Sequence, residues 1–190
     1  MKTIIFEEFQ QHLKACHLTI DALSNLIESA ADACINSLNN NGKILLFGNG
    51  GSASDAQHIA AELIGRYKVE RDSLPAIALT TDSSVITSIS NDFGYSEVFR
   101  RQISALANPN DVVIGISTSG MSSSVNKGLI QAKDIGCKVI GFNGMDGGEM
   151  KGLCDINLLI PVNDTPRVQE MHIVIGHIIC HLIDIHFNES

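Results

Sequence analysis

Two side chains that can hold a metal ion or move protons, His58 and Glu62, lie four residues apart. A helix places residues at this spacing on one face, so the imidazole and the carboxylate are predicted to point the same way. They follow a glycine-rich turn at residues 48–51, which lets a ligand approach the backbone N–H groups of the next helix. The pair therefore predicts metal or acid–base chemistry beside a bound ligand.

Further side chains that can bind a metal occur near the C-terminus: Gln169, His172, His177 and His181. Gln169 and His177 are eight residues apart, so on one helix they project to the same side and can converge with the first pair on one ion. Two imidazoles, a carboxylate and an amide oxygen suit zinc or another first-row divalent ion. The pair of His177 and His181 is an alternative, and a single helical histidine is more often structural.

A run of hydroxyl side chains follows a β-branched segment that is predicted to be a buried strand: Ser117, Thr118, Ser119, Ser122, Ser123 and Ser124. With the free N–H groups of the next helix, they supply the donors that a phosphate monoester needs. The helix dipole offsets the phosphate charge without a lysine. A solvated turn with an N-cap serine is the alternative, but we expect a phosphate.

The glycine turn also contains polar side chains: Asn49, Ser52, Ser54 and Asp55. At the carboxyl end of a strand they favour a sugar-type ligand, although a purely structural turn has the same glycines. The nucleotide-binding patterns Gly-x-Gly-x-x-Gly and Gly-Lys-Ser/Thr are missing. Asn91 and Asp92 can also bind hydroxyls, or they form only a helix end and a turn.

The order of the predicted elements indicates an α/β fold. Apolar residues at three- and four-residue steps over residues 6–38 predict two helices or one bent helix. Strands are then predicted over residues 43–47, 76–79, 111–117, 138–142 and 156–160, and further helices over residues 84–89, 97–106, 123–135 and 166–187. This alternation predicts a mostly parallel five-stranded sheet flanked by helices, a flavodoxin-like three-layer sandwich.

The composition is consistent with one domain over residues 1–190, with a helical segment over residues 3–41 and an α/β core over residues 43–190. The net charge of −8, without a run of Lys or Arg, argues against nucleic acid and anionic membranes as partners. Five scattered cysteines suggest neither a disulfide framework nor a thiolate zinc site. We therefore expect a cytoplasmic protein.

The apolar run over residues 173–185 is interrupted by His177, His181 and Asp184 and is shorter than a membrane span. Its apolar residues go most of the way around the predicted helix, so several sides of that helix must be covered. We expect the terminal helices to pack between subunits in a symmetric dimer or tetramer.

Taken together, these motifs resemble the sugar isomerase (SIS) domain family and, within it, the sedoheptulose 7-phosphate isomerases. The resemblance extends over essentially the whole chain. Its specific parts are residues 48–58 continuing to Glu62, Asn91 with Asp92, residues 117–120, and residues 167–170 leading to His177. The family often has Asn at the positions of Met121 and Ser124, which is the one departure.

The resemblance implies a homotetramer with active sites at subunit interfaces and one zinc per subunit. The zinc ligands that it implies are His58, Glu62, Gln169 and His177. The implied phosphate-binding residues are Ser117, Thr118, Ser119 and Ser122, and the sugar-binding residues are Asn49, Gly50, Gly51, Asn91 and Asp92. We add Ser52, Arg66 and Gln169 to the expected substrate contacts.

The implied reaction converts sedoheptulose 7-phosphate to D-glycero-D-manno-heptose 7-phosphate through an enediol or enediolate. Glu62 and His177 are the expected acid and base, and the sequence leaves open which acts first. The main alternative is a non-catalytic SIS-domain protein that binds a replication initiator or another protein. A second alternative is a phosphosugar-sensing regulatory domain.

Overall fold

A computed structural model describes residues 1–188 of the chain. Its first element is one continuous helix, α1 (Lys2–Asn39), rather than two helices. The helix ends at three consecutive asparagines, residues 39–41, where Asn41 adopts a positive φ of 57° and the chain turns into the sheet. Its buried residues include Leu23, Ile27 and Cys34, which pack against the C-terminal helix and the sheet.

The sheet has five strands, all parallel, in the order β2-β1-β3-β4-β5. The strands are β1 (Ile44–Gly48), β2 (Ala76–Ala78), β3 (Val112–Ser117), β4 (Lys138–Asn143) and β5 (Ile156–Leu159). This order is that of flavodoxin-like doubly wound folds, so the predicted class is confirmed. β1 and β3 are buried along their whole length because helices cover both faces.

The other helices form the two outer layers together with α1. They are α2 (Gly51–Ile64), α3 (Ser83–Phe93), α4 (Val98–Leu106), α5 (Ser123–Ile135) and α6 (Thr165–Asn188), with short 3₁₀ turns at Tyr95–Glu97 and Glu149–Gly152. Alternate strand residues face opposite layers. Leu46 and Ile114 pack with α1, α2 and α6, whereas Leu45 and Val113 pack with α4 and α5.

The two ligand-binding loops predicted from the sequence are neighbours in the fold. β1 pairs with β2 on one side and with β3 on the other, which makes the gap between β1 and β3 the topological switch point. At the carboxyl end of this pair, Gly48 lies beside Ile116 in register. The glycine turn follows β1 and the hydroxyl loop follows β3. Ligands of open α/β sheets bind at this point.

The apolar run near the C-terminus belongs to a longer helix than the run itself. The apolar run over residues 173–185 is only part of α6, which has 24 residues and is, by length and composition alone, apolar enough to cross a membrane. Half of its most apolar window is nevertheless buried inside the fold, as in the core helices of soluble proteins. Val174, Ile178 and Ile185 remain exposed on its outer face.

Candidate active site

The structure brings His58, Glu62 and His177 together, although α2 and α6 are far apart in the sequence. His58 Nε2 lies 3.1 Å from Glu62 Oε1 and 3.3 Å from His177 Nε2. One ligand atom from each of the three residues lies within 4.8 Å of the others. The predicted convergence of these side chains is therefore present in the fold.

A glycine allows the two helices to approach at this point. A Cβ on Gly176 would lie 2.6 Å from Ile59 Cδ1, which is shorter than real Cβ contacts. Gly176 precedes His177, and Ile59 follows His58. A larger residue at position 176 would force the Ile59 side chain to shift or α2 to move, so this glycine allows the close packing of the two helices beside the imidazoles.

The spacing of the cluster fits a metal ion. Zinc binds nitrogen at about 2.0–2.1 Å, so two ligands on adjacent corners of a tetrahedron are about 3.3 Å apart. The contacts of His58 with Glu62 and His177, at 3.1 and 3.3 Å, have this length. Two imidazole nitrogens approach so closely only when they share a proton or a cation. The donor set of two imidazoles and one carboxylate suits zinc.

Gln169 belongs to the N-terminal part of α6, and its side-chain amide lies beside the start of α2. A Cβ on Gly51 would lie 3.2 Å from Gln169 Nε2, so the amide covers the first turn of α2. His181, the alternative partner of His177, faces elsewhere, and its Nδ1 lies 3.5 Å from Lys68 Nζ. Of the two histidines, the fold thus selects His177 for the cluster.

His172 is a buried structural residue and not a ligand. Its Nε2 lies 3.3 Å from the backbone oxygen of Asn143, at the end of β4, and its ring packs against Phe142. Burial lowers the pKa of His172 to about 4, although the hydrogen bond with Asn143 acts in the opposite direction. The imidazole therefore stays neutral near pH 7.

Asn49 joins the glycine turn to the hydroxyl loop. Its Nδ2 donates to Ser122 Oγ at 2.8 Å and to Ser124 Oγ at 3.0 Å. Its Oδ1 accepts from the hydroxyl of Tyr95 at 2.6 Å. Both the nitrogen and the oxygen of the amide are engaged, so Asn49 holds the two loops at a defined separation.

The hydroxyl loop has the shape of an anion-binding turn. Ser117 is buried at the end of β3, and Ser122 precedes the first turn of α5 with its hydroxyl turned towards Asn49. Between them, Thr118 and Ser119 are half-buried, and Ser119 Oγ accepts from the N–H of Met121 at 3.3 Å. The loop therefore presents hydroxyls together with the N-terminus of α5, which favours an anion.

A glycine is required in the middle of that loop. Gly120 has a φ of +66°, and a Cβ there would lie 2.0 Å from the backbone oxygen of Gly147. The segment after β4 therefore packs directly on the hydroxyl loop. A side chain at position 120 would displace one of the two segments.

The remaining predicted site residues lie around this centre or away from it. Gly50 has a φ of +56° and precedes α2, Gly51 is the first residue of that helix, and Ser52 is buried under Gly48. Asn91 and Asp92 are exposed in the last turn of α3, where Asn91 Nδ2 donates to Asp92 Oδ1 at 2.8 Å. Arg66 is exposed just beyond the end of α2. Within residues 1–188, no hydrogen bond joins these last three side chains to the cluster.

Two tyrosines of the site were missed by the sequence analysis. The ring of Tyr67 stacks on the ring of His177, with centroids 5.2 Å apart and an interplanar angle of 19°. Tyr95 reaches Asn49 and lines a small cavity of about 80 Å³ with Gly48 and Thr80. Tyr95 follows Asn91 and Asp92 closely in the sequence, so a search for aromatic residues beside polar motifs could have found it.

Asp55, one turn before His58 on α2, is half-buried. Burial raises the pKa of Asp55, and the nearby imidazole of His58 partly opposes this shift. The Asp55 carboxyl therefore lies close enough to the cluster to interact electrostatically with the His58 imidazole.

Comparisons with known proteins show which family this chain belongs to. The chain matches the model of the SIS domain over residues 8–144. A phosphoheptose isomerase of Aliarcobacter butzleri is 55% identical over 184 residues, which are 97% of this chain and 97% of the relative.

Two solved structures have the same fold over nearly their whole length. A phosphoheptose isomerase from Neisseria gonorrhoeae superposes with a TM-score of 0.92 and 39% identity, over 97% of this chain and 98% of the other. One from Francisella tularensis has a TM-score of 0.93 and 37% identity, over 96% and 97% of the two chains. Since the family model spans most of the chain and the relatives match it end to end, the chain belongs to the SIS domain family, among its phosphoheptose isomerases.

Proposed function

We propose that this chain is a phosphoheptose isomerase, an aldose–ketose isomerase that converts D-sedoheptulose 7-phosphate to D-glycero-D-manno-heptose 7-phosphate. The observation that carries the proposal is the 55% identity, over 97% of both chains, with a protein of that name. The reaction is the first step towards nucleotide-activated heptose for cell-surface glycans such as lipopolysaccharide or capsule. The protein-binding alternative has no support among the relatives named above.

The chemistry requires a proton to leave C1 of the ketose and a proton to reach C2 of the enediol or enediolate. Glu62 and His177 are the groups proposed to move these protons. A carboxylate and an imidazole can each accept a proton and return it, so these two side chains can serve as the base and the acid of the reaction. Glu62 faces His58 through Oε1, and a carboxylate has a second oxygen with which it can accept a proton.

The phosphate is proposed to bind at the loop between β3 and α5. Its proposed contacts are Ser117, Thr118, Ser119 and Ser122. The loop contains no lysine or arginine. The hydroxyls and the free N–H groups of the helix N-terminus are proposed to bind the phosphate dianion by hydrogen bonds, and the positive end of the helix dipole offsets its charge. The sugar is then proposed to extend towards the cluster, with contacts from Asn49, Gly50, Gly51, Ser52, Arg66, Asn91, Asp92 and Gln169.

Zinc is the proposed cofactor, one ion per subunit. The residues proposed to hold it are His58, Glu62, Gln169 and His177. The distances among His58, Glu62 and His177 support their part of this set, and Gln169 is proposed to complete it. When bound, zinc would supply positive charge that stabilises the negative charge developing on the sugar oxygens.

The proposed assembly is a homotetramer with active sites at the subunit interfaces. It is supported by exposed apolar residues along the first half of α1: Ile4, Ile5, Phe6, Phe9 and Leu13. Together with the outer face of α6 they leave an apolar surface that is large for a monomer. We place the protein in the cytoplasm, because its five cysteines are free thiols.

The proposal is tested by measuring isomerisation of sedoheptulose 7-phosphate by the purified protein, before chelation, after it, and after zinc is added back. Turnover that is lost on chelation and restored by zinc supports both the reaction and the metal. Turnover that is unaffected by chelation supports the isomerase reaction and contradicts a role for the metal. No turnover in any form contradicts the isomerase and favours the protein-binding alternative.

A further inference from the structure

We propose that Arg71 and Asp184 are positioning residues that hold the His58–Glu62–His177 cluster in shape. This inference rests on the proposed metal and acid–base roles of the cluster. Asp184 interrupts the apolar run near the C-terminus, and no sequence motif marks Arg71.

The two side chains form a buried ion pair between α6 and the segment that follows α2. Arg71 Nε donates to Asp184 Oδ1 at 2.7 Å, and the side chains are 2% and 0% exposed. Charged groups are rarely buried to this degree unless they are paired. The pair is therefore a permanent part of the folded structure.

The guanidinium of Arg71 also binds the last turn of α2. Its Nη1 donates to the backbone oxygen of Leu63 at 2.9 Å, and its Nη2 donates to that of Glu62 at 3.0 Å. A cation at the C-terminal end of a helix satisfies free carbonyls and opposes the helix dipole. Arg71 thus fixes the backbone of a proposed metal ligand.

Asp184 makes the corresponding connection to His177. It lies seven residues after His177 on α6, which is about two turns and nearly the same face. Its Oδ2 accepts from the N–H groups of Lys68 at 2.8 Å and Val69 at 3.3 Å. These residues directly follow Tyr67, whose ring stacks on His177. One carboxylate therefore fixes the segment that packs on the cluster.

Stability alone does not explain such a pair. Replacing a buried ion pair by apolar residues of similar volume is often neutral or stabilising, whereas removing one partner is costly. A metal or proton-transfer site, in contrast, needs its groups held to about half an ångström. The Arg71–Asp184 pair joins α2, which carries Glu62, to α6, which carries His177. It can therefore hold the groups of such a site in fixed positions.

The chain contains a matched control at the other end of the sheet. Asp111 is 2% exposed and pairs with Lys43 Nζ at 2.6 Å. It also accepts from the backbone N–H groups of Lys43 at 2.9 Å and Asn108 at 2.8 Å. Asp111 and Asp184 are thus both buried acids with one cation and two backbone donors. Only Asp184 is connected to the cluster.

The experiment compares Asp184→Asn with Asp111→Asn in the full-length protein. The zinc affinity of the metal-free protein is measured by competition with a chromophoric chelator, and unfolding is followed in urea. We expect Asp184→Asn to weaken zinc binding by about 10- to 100-fold, as loss of a supporting hydrogen-bond partner does at metal sites. Asp111→Asn is expected to leave zinc affinity unchanged while it also lowers stability.

Equal zinc affinity in the two variants would overturn the inference. If Asp184→Asn does not fold, Arg71→Lys serves instead. It keeps the positive charge but loses the fork that reaches Glu62 and Leu63, so a drop in zinc affinity is again expected and an unchanged affinity contradicts the inference. A wild-type protein that turns over substrate but binds no zinc would overturn both the metal site and the role of the pair, while leaving the isomerase in place.

Discussion

The two ends of the parallel sheet differ in the size of their cavities and in the charges that surround them. The amino end, beside the start of β3, β4 and β5, has an open cleft of about 780 Å³. The carboxyl end, where Asn49 and Tyr95 lie, has a cavity of only about 80 Å³. The candidate active site nevertheless lies at the carboxyl end.

The direction of the helices explains the difference. α2 and α5 begin at the carboxyl end, so their positive ends point at a ligand there. α1 and α5 end beside the large cleft, which is also lined by Asp32, Asp111 and Asp155. The helix N-termini favour a sugar phosphate at the carboxyl end. The helix C-termini and the three acidic residues disfavour one in the large cleft, although Lys138 also lines it. Charge and helix polarity therefore locate this site better than cavity volume does.

The strongest test of the comparison is a change at each end. Glu62→Gln is expected to fold normally and to lower kcat by about 10²-fold or more, because a positioned acid–base group is removed. Asp32→Asn, in the large cleft, is expected to leave kcat and KM unchanged. Steady-state rates with sedoheptulose 7-phosphate decide this, and near-native activity of Glu62→Gln would contradict its catalytic role.

A pH series tests the packing beneath the carboxyl end. The folded protein holds the pKa of His172 at about 4, below the ordinary 6.5. At a pH between these two values, the unfolded chain therefore binds a proton at His172 that the folded protein does not bind. Stability from this group is therefore complete above pH 6.5 and is lost as the pH falls towards 4. Between pH 7 and 4.5 we expect the free energy of unfolding to fall by about 2 kcal/mol through His172.

Urea unfolding at pH 7 and pH 4.5 measures this effect. His172→Gln removes the titrating group and is expected to show a correspondingly smaller difference between the two pH values. The same pH dependence in the variant and the wild type would show that His172 is not responsible.

The phosphate assignment at the carboxyl end is tested by Ser119→Ala. Loss of one hydrogen bond to a charged phosphate is expected to raise KM about tenfold with a smaller change in kcat. Ser123→Ala is the matched control, because this hydroxyl is exposed at the start of α5 in the same loop. An unchanged KM for Ser119→Ala, or an equal rise for both variants, would argue against the assignment.

The smallest expected effect concerns the connection between the two loops. Tyr95→Phe removes the hydroxyl that donates to Asn49 but keeps the ring. One net hydrogen bond is worth about 1 kcal/mol, so KM is expected to rise about fivefold. Kinetics indistinguishable from wild type would show that Asn49 keeps its position without Tyr95.

Much of the fold was predictable because its signals are local. The predicted bounds of α5, residues 123–135, agree with the structure, since hydroxyl residues precede the helix and Gly136 ends it in a left-handed conformation. α3 was predicted to be shorter than it is. Its serines, threonine and asparagine favour helices weakly, but the Asp82 side chain caps its start and Gly94 ends it, so it extends to Phe93.

The site was predictable in part. His58 and Glu62 share a helix, and a four-residue spacing determines their relative position. The structural prediction for the hydroxyl loop also succeeded, because a strand followed by serines and a helix defines a loop at the sheet edge. Tyr67, Tyr95 and the Arg71–Asp184 pair were missed, since each acts through a contact between segments that no local pattern marks.

The sequence by itself thus determined the chemistry available to this protein: an imidazole and a carboxylate on one helix, hydroxyls after a buried strand, and no lysine or arginine in the hydroxyl loop. Only the tertiary structure decided which distant groups join them. It selected His177 over His181 and brought the Gln169 side chain beside the start of α2, because the packing of α2 against α6 decides which face of α6 meets His58. Spacing within one helix is local geometry, whereas the meeting of two helices depends on packing across the whole fold.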